Sequence, residues 1–297
     1  MSVLESGSGR EGVLEVGLAA GGRLRWAAAD ITAVVEEARL RLDLSPLSTV
    51  AFGRCAAAAV MLHRLALKTP ARLDIDVRGD GPVGRVLVEV RDDGGLRGLV
   101  SQNHAVGERG PQDLRVGPGI GRGLLRIRRE DRSGRRYESQ VELVTGEIGV
   151  DVAHYLEQSE QRQSAVMLGV LASPDGVQAA GGLLVEAMPD AERQLVTRLE
   201  RSIDEFGSVS RVLDRDGLEG SVRRLLGDLD AERIERREVR YQCQCRRQGL
   251  ADSLAVLDRQ QLVELISERG TIDAECAYCG QVYRFSLEEL DGDELTN

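Results

Sequence analysis

Four of the five cysteines in this 297-residue chain fall at Cys243, Cys245, Cys276 and Cys279. The spacing is C-x-C, thirty residues, then C-x-x-C, so two close pairs of thiols each sit on a tight turn. Two such pairs can close a tetrahedral site on one zinc ion, with Zn–S bonds of about 2.3 Å. Four sulfurs leave no open position for a reacting water, which makes the zinc structural or regulatory rather than hydrolytic. The segment that carries them, 241–297, has 57 residues. At that size a hydrophobic core alone is marginal and a metal staple helps.

Within this segment "LADSLAVLDRQQLVELISERG" reads as two short helices. The second pair reads as a hairpin knuckle, with Gly280 after it and "VYRF" leaving as a strand. A zinc ribbon often binds nucleic acid, but charge opposes that here. Residues 241–297 hold 11 acidic side chains against five arginines, and the whole chain carries a net charge of -10. A phosphate backbone or an anionic membrane would need a concentrated basic face. Tyr241, Tyr278, Tyr283 and Phe285 are therefore expected to form a small core rather than a stacking platform. Zinc-bound thiolates are also the form of cysteine that reacts with oxidants. Because metal binding at such a site is coupled to folding, losing the ligands should unfold a domain this small.

No apolar run approaches the roughly 18 residues of a membrane span, and "MSVLESGSGREG" lacks a basic region followed by an apolar stretch. A cytoplasmic protein is expected, where thiols stay reduced and clustered cysteines point to a metal or redox site.

Ahead of the cysteines the pattern is α+β. Residues 1–25 read as a loose leader running into a short strand at "GRLRWAAA", followed by a helix in "DITAVVEEARLRLDLSP" that stops before Pro46. "STVAFGRCAAAAVMLHRLALK" is a helix apolar over most of its circumference, hence buried. "ARLDIDVRGDGPVGRVLVEVRDDGGLRGLV" alternates apolar and polar residues around Gly-rich turns, an antiparallel meander. Further strands are expected at "GLLRIRRE", "RYESQVELV", "SAVMLGVLA" and "GGLLVEAM", with a helix at "GVDVAHYLEQSEQ". Gly79, Gly81 and Gly84 fit a dinucleotide motif but lead into a strand, so they read as a hairpin turn. "GPGIGRG" lacks the Lys-Ser/Thr of a phosphate loop and reads as a loop.

Three segments follow: an antiparallel-sheet domain with packed helices at 1–189, a charged helical linker at 190–240, and a four-cysteine zinc domain at 241–297. The linker holds 13 acidic and 11 basic residues among 51, and its pieces bury little enough to be released cheaply. Cys55 in the Ala-rich helix reads as a small apolar residue. His63, His104 and His154 share no ligand spacing, and no serine or carboxylate pair has a catalytic setting, so no enzyme is expected.

The chain resembles the redox-regulated 33 kDa heat-shock chaperone family over nearly its whole length. The resemblance lies in "SPLSTVAFGRCAAAAVML", "GDGP", "GEIGVDVAHYLEQSEQ", "AGGLLVEAMP", "RRLLGDL" and "CAYCGQVYRF", besides the cysteine spacing. It implies an ATP-independent holdase that is quiet when reduced and loaded with one Zn2+ on Cys243, Cys245, Cys276 and Cys279. Oxidation would form the disulfides Cys243–Cys245 and Cys276–Cys279, release zinc, unfold the zinc domain and linker, and let the protein dimerise and bind unfolding client proteins. Disulfide geometry suits a C-x-x-C unit better than a C-x-C unit, so the Cys276–Cys279 bond should form first. The sequence departs from the family pattern at Arg246, Arg247, Gln248 and Gly249 after the second cysteine, where two arginines would favour thiolate, and at Ser139 and Gln163. The other reading of the residues is an adaptor with a permanently structural zinc.

Overall fold

A helix of small and apolar residues organises the larger part of the chain. In the computed structural model, which describes residues 11–66, 70–266 and 270–290, the first unit runs to Gln242 and the second from Cys243. The expected leader at 1–10 and the last residues of the Ala-rich helix, Leu67 and Lys68, lie outside the described residues.

In the first unit, β1 (Gly12–Ala19) and β2 (Leu24–Asp30) form a hairpin ahead of α1 (Thr32–Leu42) and α2 (Pro46–Leu65). The expectation of a loose leader through residue 25 is thus corrected, because β1 alternates side chains between two covered faces. Pro46 stands in the first turn of α2 and Ser45 caps it, accepting from the Ser48 N–H. Its run of four alanines is fully buried, as is Cys55, whose thiol burial pushes up.

The meander follows as β3 (Arg72–Gly79), β4 (Arg85–Arg91) and β5 (Gly95–Val100). The glycines at 79–84 turn β3 into β4, as expected of a hairpin. Residues 116–120, expected as a loop, form the short helix α3 (Val116–Ile120), which lies against that turn with Gly81 N–H donating to the Ile120 carbonyl at 2.8 Å. Then come β6 (Gly123–Glu130), β7 (Arg136–Glu142), α4 (Gly149–Glu160), β8 (Ser164–Ser173) and β9 (Gly176–Ala187). Entry into α4 is strained: Ile148 has φ 63 and ψ -53, the rare γ-turn geometry, closed by the Gly149 N–H on the Glu147 carbonyl at 2.7 Å. Asp151 holds it, its buried carboxylate accepting from the N–H groups of Val144, Thr145, Gly146 and Ile148.

Residues 190–240 contain α5 (Arg193–Phe206), α6 (Val209–Leu226) and β10 (Glu232–Tyr241). The helical expectation holds for the first two and is corrected for the third. Only Val239 and Tyr241 of β10 are buried, so its pattern is nearly all polar; it is a strand because its neighbours supply the hydrogen bonds. The sheet order is β7-β6-β3-β4-β5-β10-β1-β2-β9-β8. β10 pairs antiparallel with β1 from Gly12↔Val239 to Leu18↔Glu232, but parallel with β5 only at Gly95 and Leu96. It is the single strand joining the two antiparallel halves.

Alternation along β9 assigns the faces. Gly182 faces α2, where Met61 lies close, while Gly181 faces Leu213 of α6. On the α6 face Leu24, Trp26, Ala28, Leu183 and Val185 form one apolar cluster with Leu199, Phe206, Val212, Val222, Leu225 and Leu226. The charged segment is therefore amphipathic and covers the sheet.

Candidate metal centre

The second unit builds its site on two turns. β11 (Ile272–Glu275) and β12 (Val282–Phe285) pair from Ile272↔Phe285 to Glu275↔Val282, and the hairpin between them carries Cys276 and Cys279. Cys279 and Gly280 N–H groups both donate to the Cys276 carbonyl, and Gly280 takes φ 69, which favours glycine. Cys243 and Cys245 precede α7 (Arg247–Leu254), and α8 (Arg259–Glu264) follows, so the two expected short helices are present. α8 starts with a capping box, Asp258 accepting from the Gln261 N–H at 2.9 Å. With α9 (Leu287–Leu290), these elements enclose a core of Ala251, Leu262, Ile272, Phe285 and Leu290.

All four cysteine sulfurs lie within 4.8 Å of one another, and none of the five cysteines is in a disulfide. Cys243 Sγ is 3.8 Å from Cys276 Sγ, and Cys245 Sγ is 3.4 Å from Cys279 Sγ. A tetrahedron with metal–sulfur bonds of about 2.3 Å has sulfur–sulfur edges of about 3.8 Å. The residues present therefore fit one closed, tetrahedral metal ion. With no metal bound, the hydrogen bond from Cys279 holds the Cys243 thiol down to about 4, and the same bond pushes Cys279 well up. Burial pushes Cys276 up.

The sequence-predicted ligands all converge, while Cys55, His63, His104 and His154 stay in the first unit. His63 is buried, with Nε2 2.9 Å from the Pro70 carbonyl, and burial lowers it to about 4. The expected aromatic core is half present: Phe285 is buried and Tyr283 packs against it. Tyr241 instead ends β10 in the first unit, with its hydroxyl donating to the Gly98 carbonyl and Arg41 over its ring. Arg247, expected to favour thiolate, bonds Glu289 at 2.7 Å and lies 4.4 Å from the Phe285 ring centre. Sequence reasoning missed the Tyr283 hydroxyl, which lies 3.4 Å from Cys245 Sγ. Its position seven residues after Cys276, in a strand returning past the knuckle, was the available signal.

Fold and site together define an α+β protein in which a sheet unit is followed by a compact module whose four cysteines could hold one metal ion. The model of the Hsp33 protein family matches residues 13–286. The 33 kDa chaperonin of Thermus thermophilus is 42% identical over 92% of this chain and 84% of its own length. That of Synechococcus elongatus is 38% identical over 92% of this chain and 94% of its own. The crystal structure of the 33 kDa chaperonin (heat shock protein 33 homolog) from Thermotoga maritima superimposes with a TM-score of 0.85 at 32% identity, covering 94% of this chain and 96% of that one. The chain belongs to the Hsp33 family.

Proposed function

We propose that the protein is a redox-regulated, ATP-independent holdase chaperone that binds rather than transforms its clients, and that it works in the cytoplasm. Membership of a family whose relatives are named chaperonins supports the chaperone reading. One observation carries the regulation: the apolar sheet face of Leu24, Trp26, Leu183 and Val185 is covered by α5 and α6, whose chain continues through β10 to end two residues before Cys243.

A zinc ion on Cys243, Cys245, Cys276 and Cys279 would join the two turns and supply folding free energy to the second unit. Its own buried core is small, so the thiolates are what hold that unit together. Oxidation into Cys243–Cys245 and Cys276–Cys279 disulfides removes all four ligands at once. All four sulfurs lie within 4.8 Å of one another. With the second unit unfolded, residues 190–240 lose the fold at their end and leave the sheet, and the uncovered face takes up unfolding polypeptides. An uncovered apolar face of this kind also favours a dimer of the activated form.

The test follows zinc release and suppression of aggregation of a heat-unfolding client on one sample, before and after peroxide at elevated temperature. One zinc leaving as activity appears, both reversed by thiol reductant and zinc, supports the switch. If zinc stays bound and activity ignores the oxidant, the cysteines are a permanent staple and the protein is an adaptor.

A further inference from the structure

The four sulfurs are not placed alike. Cys245 has a phenol beside it: Tyr283 Oη lies 3.4 Å from its sulfur and 3.4 Å from its carbonyl oxygen. Register places the phenol there. Tyr283 pairs with Ala274 across β11 and β12, and its ring rests on the core around Phe285 and Ile272. A metal-bound thiolate carries no proton, so the phenol is the donor.

We infer that Tyr283 is an outer-sphere donor to the Cys245 thiolate, withdrawing electron density from its lone pair and slowing its attack on an electrophile. A hydrogen bond that lowers a thiolate's basicity lowers its nucleophilicity too. With peroxide, a thiolate lone pair attacks one oxygen, the O–O bond breaks, and a sulfenic acid forms as hydroxide leaves. A second thiolate then displaces hydroxide from that sulfur to give the disulfide. Two thiolates lose two electrons in all, and one peroxide becomes two hydroxide ions. Tyr283 slows the first step at Cys245. That consequence rests on the redox reading above; the donor role does not.

The test uses the full-length, reduced, zinc-loaded protein and iodoacetamide, with alkylation of each cysteine timed by peptide mass spectrometry. Tyr283→Phe should raise the Cys245 rate about three- to tenfold and leave Cys276 and Cys279 within about twofold, the kinetic share of one hydrogen bond to a charged sulfur. An unchanged Cys245 rate, or four rates rising together as in a loosened site, would overturn the inference. Because the phenylalanine variant could unfold the module, 3-fluorotyrosine placed at 283 gives the opposite arm: a stronger donor should slow Cys245. With cobalt(II) in place of zinc, the sulfur-to-metal charge-transfer band should shift in opposite directions in the two variants, and a ring that only packs would leave it unmoved. No step requires an oxidant. If peroxide neither releases zinc nor switches activity while these effects persist, the redox reading fails and the donor role of Tyr283 stands.

Discussion

Asp151 is fully buried and accepts four backbone N–H groups from the turn that enters α4. Removing it would leave those donors without partners while Ile148 is held in a strained conformation. Asp151→Ala should cost about 4 kcal/mol or more in a urea melt, with Asp151→Asn intermediate because its amide can serve only part of the set. His63 gives a pH dependence. It stays neutral when folded, at about 4, because burial outweighs the Pro70 hydrogen bond and the nearby Asp92, with Arg64 and Arg237 opposing protonation as well. An exposed histidine titrates near 6.5. Protons therefore bind the unfolded chain first, so the stability from a neutral His63 is fully present above about 6.5 and is lost as pH falls toward 4, by up to about 3 kcal/mol. Urea melts across that window should show the slope, and His63→Gln should flatten it.

Among the elements, α5 and α6 decide whether the sheet face is covered. Phe206 is 1% exposed and ends α5, where Arg224 of α6 donates to the Phe206 and Glu205 carbonyls. Phe206→Ala should weaken docking of this segment by about 3 kcal/mol. The expected readout is dye binding to apolar surface and faster amide exchange in 193–229 while the cysteines remain reduced and metal-loaded; protection equal to the parent would show that the face is held by other contacts. β10 is held differently, through buried Glu15, which accepts from Arg233 at 2.9 Å and Arg236 at 2.5 Å. These elements also mark the limits of sequence reading. The strands around Leu73, Ile75 and Val86 and the buried Ala-rich helix were legible because period and composition agree. β10 was not, since "ERIERREVRY" has the composition of a solvated helix and becomes a strand only between β1 and β5, contacts more than a hundred residues away. β1 was hidden behind a Gly-rich start, and the Asp151 turn needed coordinates. The clustering of the four cysteines was legible from spacing, whereas the Tyr283 contact, hinted at by its place seven residues after Cys276, depends on the strand register.

For the whole molecule, the two units differ in what holds them. The first has a continuous core on both faces of its sheet, while five buried apolar residues and the thiolate cluster serve the second. A structural tetrathiolate site supplies roughly 10 kcal/mol or more of folding free energy at neutral pH, which exceeds what so small a core can provide. Metal removal by a strong chelator under reducing conditions should therefore unfold 243–290 and leave the strands of 12–187 intact. β10 is the boundary case. It joins the two halves of the sheet, is tied to β5 by only two residue pairs, and ends two residues before the first cysteine. If the fold of the second unit helps to hold β10 in place, protection from proteolysis should be lost in sequence after chelation or oxidation: first beyond Cys243, then through 190–241, and last in the sheet. Cleavage appearing within 190–241 before any beyond 243 would mean that the charged segment opens by itself, and that the cysteines report its release rather than cause it.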